Sequence, residues 1–170
     1  MTRRSLRVGL GHGGELELRE LVRYRAKLVA LRSGLKAQVH AVLAKEGVHV
    51  PVTDLFGVAG SRLLDEVPLG RAYAIRVESL RDLIEVYDRE VAMADREVRT
   101  TLAGNLGWEA IQAIPGVGPV LAAVFVAEIG DVGRFPTARH LCSWAGLTPT
   151  HRESDTTVVK GRITKQGSKL

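Results

Sequence analysis

Residues Ile111-Gln112-Ala113-Ile114-Pro115-Gly116-Val117-Gly118-Pro119-Val120-Leu121-Ala122-Ala123 read as two short helices joined by a tight corner. The first helix ends near Ala113, Pro115-Gly116-Val117-Gly118 turns the chain, and Pro119 opens the next helix. A proline suits that place because its φ is already helical and its missing N–H has no partner in a first turn. Glycines at 116 and 118 admit backbone angles that side chains resist and leave the main-chain amides of the corner uncovered. Successive N–H groups can then converge on one phosphate oxygen. The pattern is that of a helix–hairpin–helix, with Gly116, Val117 and Gly118 as candidate phosphate contacts. The same residues also suit a plain structural turn between packed helices. Contacts of this kind position a nucleic acid and read no base.

Upstream, Gly104-Asn105-Leu106-Gly107 breaks a much longer element. From about Leu69 to Ala103, Tyr73, Val77, Leu80, Ile84, Tyr87, Val91, Ala94 and Val98 alternate steps of four and three, with Arg, Glu and Asp between them. This heptad spacing predicts one long helix with an apolar stripe that needs a partner. A first long helix is predicted from about Glu15 to Glu46, roughly 45 Å at 1.5 Å per residue, with Leu21, Tyr24, Leu28, Leu31, Leu35, Val39 and Val42 on one face. Folded back antiparallel, it is one partner; a second copy of the chain is the other. Gly47 and Val50-Pro51 end the first helix, and a short helix near Ser61–Glu66, capped by Gly60 or Ser61, lies in the connection.

The expected fold class is therefore mainly α: a long antiparallel helical hairpin, or coiled coil, followed by a small domain containing the helix–hairpin–helix. The expected divisions are residues 1–14, a flexible leader with Gly11-His12-Gly13-Gly14, residues 15–104, the hairpin, and residues 105–170, a small C-terminal domain that looks cut off after Lys169-Leu170.

Composition bounds the function. With 170 residues, 45% hydrophobic and 25% charged, the chain is globular; with only 5% aromatic residues, its core must be aliphatic. A net charge of +5 favours a polyanionic partner. From Arg139 to the end there are six Lys or Arg (Arg139, Arg152, Lys160, Arg162, Lys165, Lys169) against Glu153 and Asp155. Arg152, Lys160, Arg162 and Lys165 are the candidate contacts to a nucleic-acid backbone, set among small hydroxyls and glycines; a solvated basic tail is the alternative. Arg19, Arg23, Arg25, Lys27, Arg32 and Lys36 on the first helix, with Glu20 among them, form a possible second cationic face. The single cysteine, Cys142, excludes a disulfide framework or a cysteine zinc site within the chain and reads as a buried structural thiol. No apolar run reaches about 18 residues, and no secretory h-region follows the basic start, so no membrane partner is expected and a reducing cytoplasm fits.

Leu21-Val22-Arg23-Tyr24-Arg25-Ala26-Lys27-Leu28, Ala113–Pro119, Ala127-Glu128-Ile129-Gly130-Asp131, Leu141-Cys142-Ser143-Trp144-Ala145-Gly146-Leu147-Thr148-Pro149 and Gly161-Arg162-Ile163-Thr164-Lys165-Gln166-Gly167 occur in an order that resembles the IS-one-ten (IS116/IS902-type) insertion-sequence transposases over roughly residues 16–170. Full-length members of that family join an N-terminal RNase-H-like nuclease domain with four acidic metal ligands, a coiled coil, and a C-terminal transposase domain with a nucleophilic serine. The resemblance implies DNA strand exchange directed by a structured guide RNA, with Mg²⁺ in the full-length proteins. It covers the coiled coil and most of the C-terminal domain, and the acidic domain has no counterpart here. Neither a cofactor nor a metal site is therefore expected in this chain. Glu128 and Asp131 sit at a helix end in capping or packing roles. By spacing, the family's serine falls on Ser154, where Glu153-Ser154-Asp155-Thr156-Thr157 replaces paired serines and glycines.

These readings converge on the DNA-binding portion of a transposase, nucleoid-associated and unable to recombine unaided, with DNA, guide RNA and a homo-oligomer or full-length transposase as implied partners. The alternatives are a standalone nonspecific DNA-binding protein and a dimerisation module or inhibitor of full-length transposase.

Overall fold

The computed structural model describes residues 12–154 and 157–163 and is mainly helical. In chain order, α1 spans His12–Lys45, α2 Val58–Glu66, α3 Arg71–Thr101, α4 Leu106–Gln112, α5 Pro119–Ile129 and α6 Ala138–Trp144. A short 3₁₀ turn, Val132–Arg134, precedes α6, and two strands follow it: β1, Pro149–Ser154, and β2, Thr157–Ile163. Tyr24–Arg96 form one compact unit. The described residues up to Arg23, with those from Glu97 onward, form the other.

In the Tyr24–Arg96 unit, the predicted α3 stripe is the buried face: Val77, Leu80, Ile84, Val91 and Ala94 are all buried. Val77, Leu80 and Ile84 pack with Val39, Val42 and Leu43 of α1, and with Leu55 and Leu64. Polar bonds run along the same helices. Arg25 pairs with Asp95 and Arg32 with Asp88, and Arg76 donates to Gln38 Oε1 at 3.1 Å, so the partners step down α3 as they step up α1. The α1 stripe is only partly as expected. Leu28, Val39 and Val42 are buried, whereas Tyr24 and Leu31 stay 49% and 45% exposed.

Helix α2 starts earlier than expected. Its N-cap is Gly57, whose carbonyl accepts from Ser61 N–H at 2.9 Å, and not Gly60 or Ser61. The turn is set by Asp54, whose side chain accepts from Phe56 N–H at 3.0 Å, an Asx-type turn that pre-shapes the chain. Gly60 is instead a buried packing residue inside α2: a Cβ there would lie 2.2 Å from the Leu55 carbonyl oxygen. Arg81 of α3 holds α2 through Asp65 at 2.6 Å and the Ser61 hydroxyl at 3.0 Å.

The other unit is built on Leu18 and Val22 of α1, Val98 of α3 and Leu102 just after it, and Ala123, Val126 and Ala127 of α5, all buried. Trp108 and Ile111 of α4 pack against this cluster. Small side chains at 123 and 127 give close helix approach in a core poor in aromatics. Gly104, at φ +75°, ends α3 in the left-handed conformation that glycine adopts without a Cβ penalty. Asn105 then caps α4 by accepting from Trp108 N–H at 3.0 Å.

Most of the cationic row on α1 is committed inside the protein. Arg19 donates twice to the Ala127 carbonyl, at 3.1 and 2.9 Å, and Arg23 grips both oxygens of buried Glu128. Arg25 and Arg32 hold Asp95 and Asp88, and the Lys36 ammonium lies 4.7 Å from the Phe56 ring centroid. Lys27 alone of the six remains exposed without a partner among the described residues. A second nucleic-acid face on α1 is therefore not supported. These partners leave no mark in the α1 sequence itself, because they stand on α3 and α5. Cys142 is also exposed rather than buried; on α6 it is Leu141 that is partly buried. Among the described residues, no helix is long and apolar enough to cross a membrane.

Candidate nucleic-acid interface

The predicted corner lies between α4 and α5, on the surface. Val117 N–H donates to the Ile114 carbonyl at 3.0 Å, closing a β-turn over Pro115 and Gly116. Gly116 has φ +87°. Proline second and a positive-φ glycine third make a type II turn, so glycine is required at 116. Gly118 differs from expectation: at φ −83° and ψ 174° it is ordinary extended backbone that any residue adopts. Its carbonyl accepts the first bond of α5, from Ala122 N–H at 3.0 Å. The amides of Val120 and Leu121 thus have no partner within the helix, as first-turn amides do not. A Cβ at either glycine would meet open space. The Trp108 indole N–H donates to the Pro119 carbonyl at 2.9 Å, tying α4 to the first residue of α5 and holding the corner in shape.

The two glycines therefore respond differently to alanine. Gly116→Ala is expected to cost about 1–2 kcal/mol of stability, the penalty of a left-handed backbone with a Cβ, whereas Gly118→Ala changes stability by less than about 0.5 kcal/mol. Urea midpoints of the two variants measure this directly. Equal midpoints would contradict the turn assignment.

The segment carrying Arg152, Ser154, Lys160 and Arg162 is a two-stranded antiparallel hairpin rather than a loop and tail. His151 lies opposite Lys160, Arg152 opposite Val159, and Ser154 opposite Thr157. Register slips between Pro149 and His151. There the Thr150 hydroxyl donates to the Arg162 carbonyl at 3.2 Å, and a Cβ at Gly161 would stand 2.2 Å from the Thr150 oxygen. Glycine at 161 thus serves close cross-strand approach. The β-branched run Thr156-Thr157-Val158-Val159 carried the strand signal that a reading for charge passes over. Arg162 is exposed on β2, and Lys165 lies outside the described residues.

The two acids at the far end of α5 take the roles expected of them. Glu128 is buried and paired with Arg23, and its backbone carbonyl accepts from Arg134 at 3.4 Å. Asp131 caps the 3₁₀ turn by accepting from Gly133 N–H at 2.8 Å. Both carboxylates are engaged and do not fit a Mg²⁺ site. No three His, Cys, Asp or Glu side chains among the described residues are grouped to hold a metal.

Residues 108–170 match the family described as Transposase IS116/IS110/IS902. A probable family 20 transposase of Pseudomonas aeruginosa is 26% identical over 151 residues, covering 85% of this chain and 44% of its own length. The transposase for insertion sequence element IS1111A of Coxiella burnetii is 27% identical, over 89% of this chain and 43% of its own length. An uncharacterized protein of insertion element IS110 from Streptomyces coelicolor is 31% identical, over 88% and 32%. The chain thus spans less than half the length of these relatives.

Proposed function

We propose, from the match of residues 108–170 to the IS116/IS110/IS902 transposase family, that the chain is the DNA-binding portion of an insertion-sequence transposase. The observation that carries this reading is the exposed Pro115–Gly118 corner, with a left-handed Gly116 and unpaired amides at the start of α5. In this reading α4, the corner and α5 act as a helix–hairpin–helix whose Gly116, Val117 and Gly118 backbone meets a phosphate. Arg152, Lys160, Arg162 and Lys165 neutralise the neighbouring backbone. Each charge-assisted hydrogen bond adds roughly 1.5–3 kcal/mol, so several must act together.

Ser154 is the proposed position of the family's nucleophile. Its reaction would need its proton removed and the developing charge stabilised. The role proposed for the chain alone is binding, and Mg²⁺ belongs to the longer family proteins. Guide RNA is a further proposed partner.

The antiparallel run of α1 and α3 is proposed as a helical hairpin. Its exposed Ile75, Leu83, Val86 and Met93 favour association with a second copy or with full-length transposase.

Purified chain with Mg²⁺ and duplexes bearing transposon ends should bind in a strongly salt-dependent way and transfer no strand. Efficient strand transfer by the chain alone would overturn the restriction to binding. Absence of salt-dependent binding would overturn the proposal itself. Equal affinity for random duplex would favour a standalone nonspecific DNA-binding protein.

A further inference from the structure

Arg139, His140 and Ser143 of α6, with Thr148 just before β1, line an open concavity of about 340 Å³. On a helix, positions 139 and 143, and 140 and 143, are neighbours on one face. The chain returns to that face through a Schellman turn: Leu147 N–H donates to the Cys142 carbonyl at 2.9 Å, Gly146 N–H donates to Ser143 at 3.0 Å, and Gly146 has φ +69°. That turn brings Thr148 beside Ser143 and Arg139.

Among the described residues, no carboxylate lines the concavity. The Thr137 hydroxyl and His140 Nδ1 stand 2.8 Å apart, and with the hydroxyl donating, the ring proton sits on Nε2, a second donor. The arginines nearby divide into two kinds. Arg134 is committed to structure, stacked 4.6 Å from the Phe135 centroid and 5.0 Å from that of Trp144, and bonded to the Glu128 carbonyl. Arg139 is exposed and makes no ion pair or hydrogen bond among the described residues. One guanidinium, an imidazole and two hydroxyls around a hollow with no acid among its described lining residues form a donor set for a phosphate group.

We propose that this concavity is a second backbone anchor for DNA, taking one phosphodiester at the foot of the strand that leads to Ser154. The inference rests on the DNA-binding reading above.

The test is anisotropy of a labelled duplex with the full chain between roughly 50 and 200 mM salt, the range over which backbone contacts show most strongly. Arg139→Gln should weaken binding roughly tenfold and lower the slope of log affinity against log salt by about one, while Arg139→Lys keeps the slope. Ser143→Ala should weaken binding by about threefold at unchanged slope, since it removes a neutral donor. Both side chains replaced are exposed, so circular dichroism melts should coincide with wild type. Inorganic phosphate titrated as a competitor separates the two sources of the group: a true anchor is displaced from duplex only at high phosphate. Loss of binding in Arg139→Gln with the slope intact would overturn the anchor, as would phosphate binding without any effect of Arg139→Gln on duplex. Wild-type binding that Gly118→Val abolishes and Arg139→Gln leaves untouched would remove this anchor and keep the broader reading. No binding by wild type would remove both.

Discussion

Gly60→Ala is expected to destabilise the Tyr24–Arg96 unit by about 3 kcal/mol or more, at the upper end of what overpacking costs. A Cβ at residue 60 would stand 2.2 Å from the carbonyl oxygen of Leu55 and 2.3 Å from its carbonyl carbon. Backbone cannot swing aside as the end of a flexible side chain can. The only relief is to lift α2 off the segment around Leu55, which is buried beside Leu64 in the same aliphatic cluster. Hydrogen exchange across Val58–Glu66 and a urea midpoint measure the effect. Ser61→Ala is the companion variant: it removes one hydrogen bond from Arg81 and should cost only about 1 kcal/mol. If Gly60→Ala melts with wild type, α2 does not approach Leu55 as described.

The second large effect is on binding. Gly118→Val should weaken duplex affinity by roughly ten- to a hundredfold, equivalent to losing one or two charge-assisted backbone contacts. Valine accepts the extended angles of residue 118, and open space surrounds the new Cβ, so the melting midpoint should stay near wild type. The branched side chain would stand where a phosphate must approach the amides of the α5 first turn. Anisotropy with any duplex serves, because a backbone contact is blind to sequence. Unchanged affinity in a folded Gly118→Val protein would return the corner to a purely structural turn.

The part of the fold legible in the sequence is that set by short-range rules. The α3 stripe, the tight Pro115–Gly118 corner, and proline opening α5 each follow from a few neighbouring residues, and each is found where expected. The hairpin of β1 and β2 was legible too, through Thr157-Val158-Val159, yet the cations interleaved with it pointed to a tail. Among the site residues, Gly116 and Gly118 were visible by type, but their different backbone needs were not. The concavity at Arg139 had no linear signature, because Thr148 joins it only after the chain reverses at Gly146.

Sequence by itself determined the helical character, the buried face of α3 and the existence of the corner, because periodicity and glycine–proline chemistry act within a turn or two of the chain. Only the tertiary structure decided which cations are available. Arg19, Arg23, Arg25 and Arg32 look alike along one helix, yet their acceptors are supplied by Ala127, Glu128, Asp95 and Asp88, between 56 and 108 residues away. Charge is a property of each residue, whereas its neutralisation depends on what folding brings within reach.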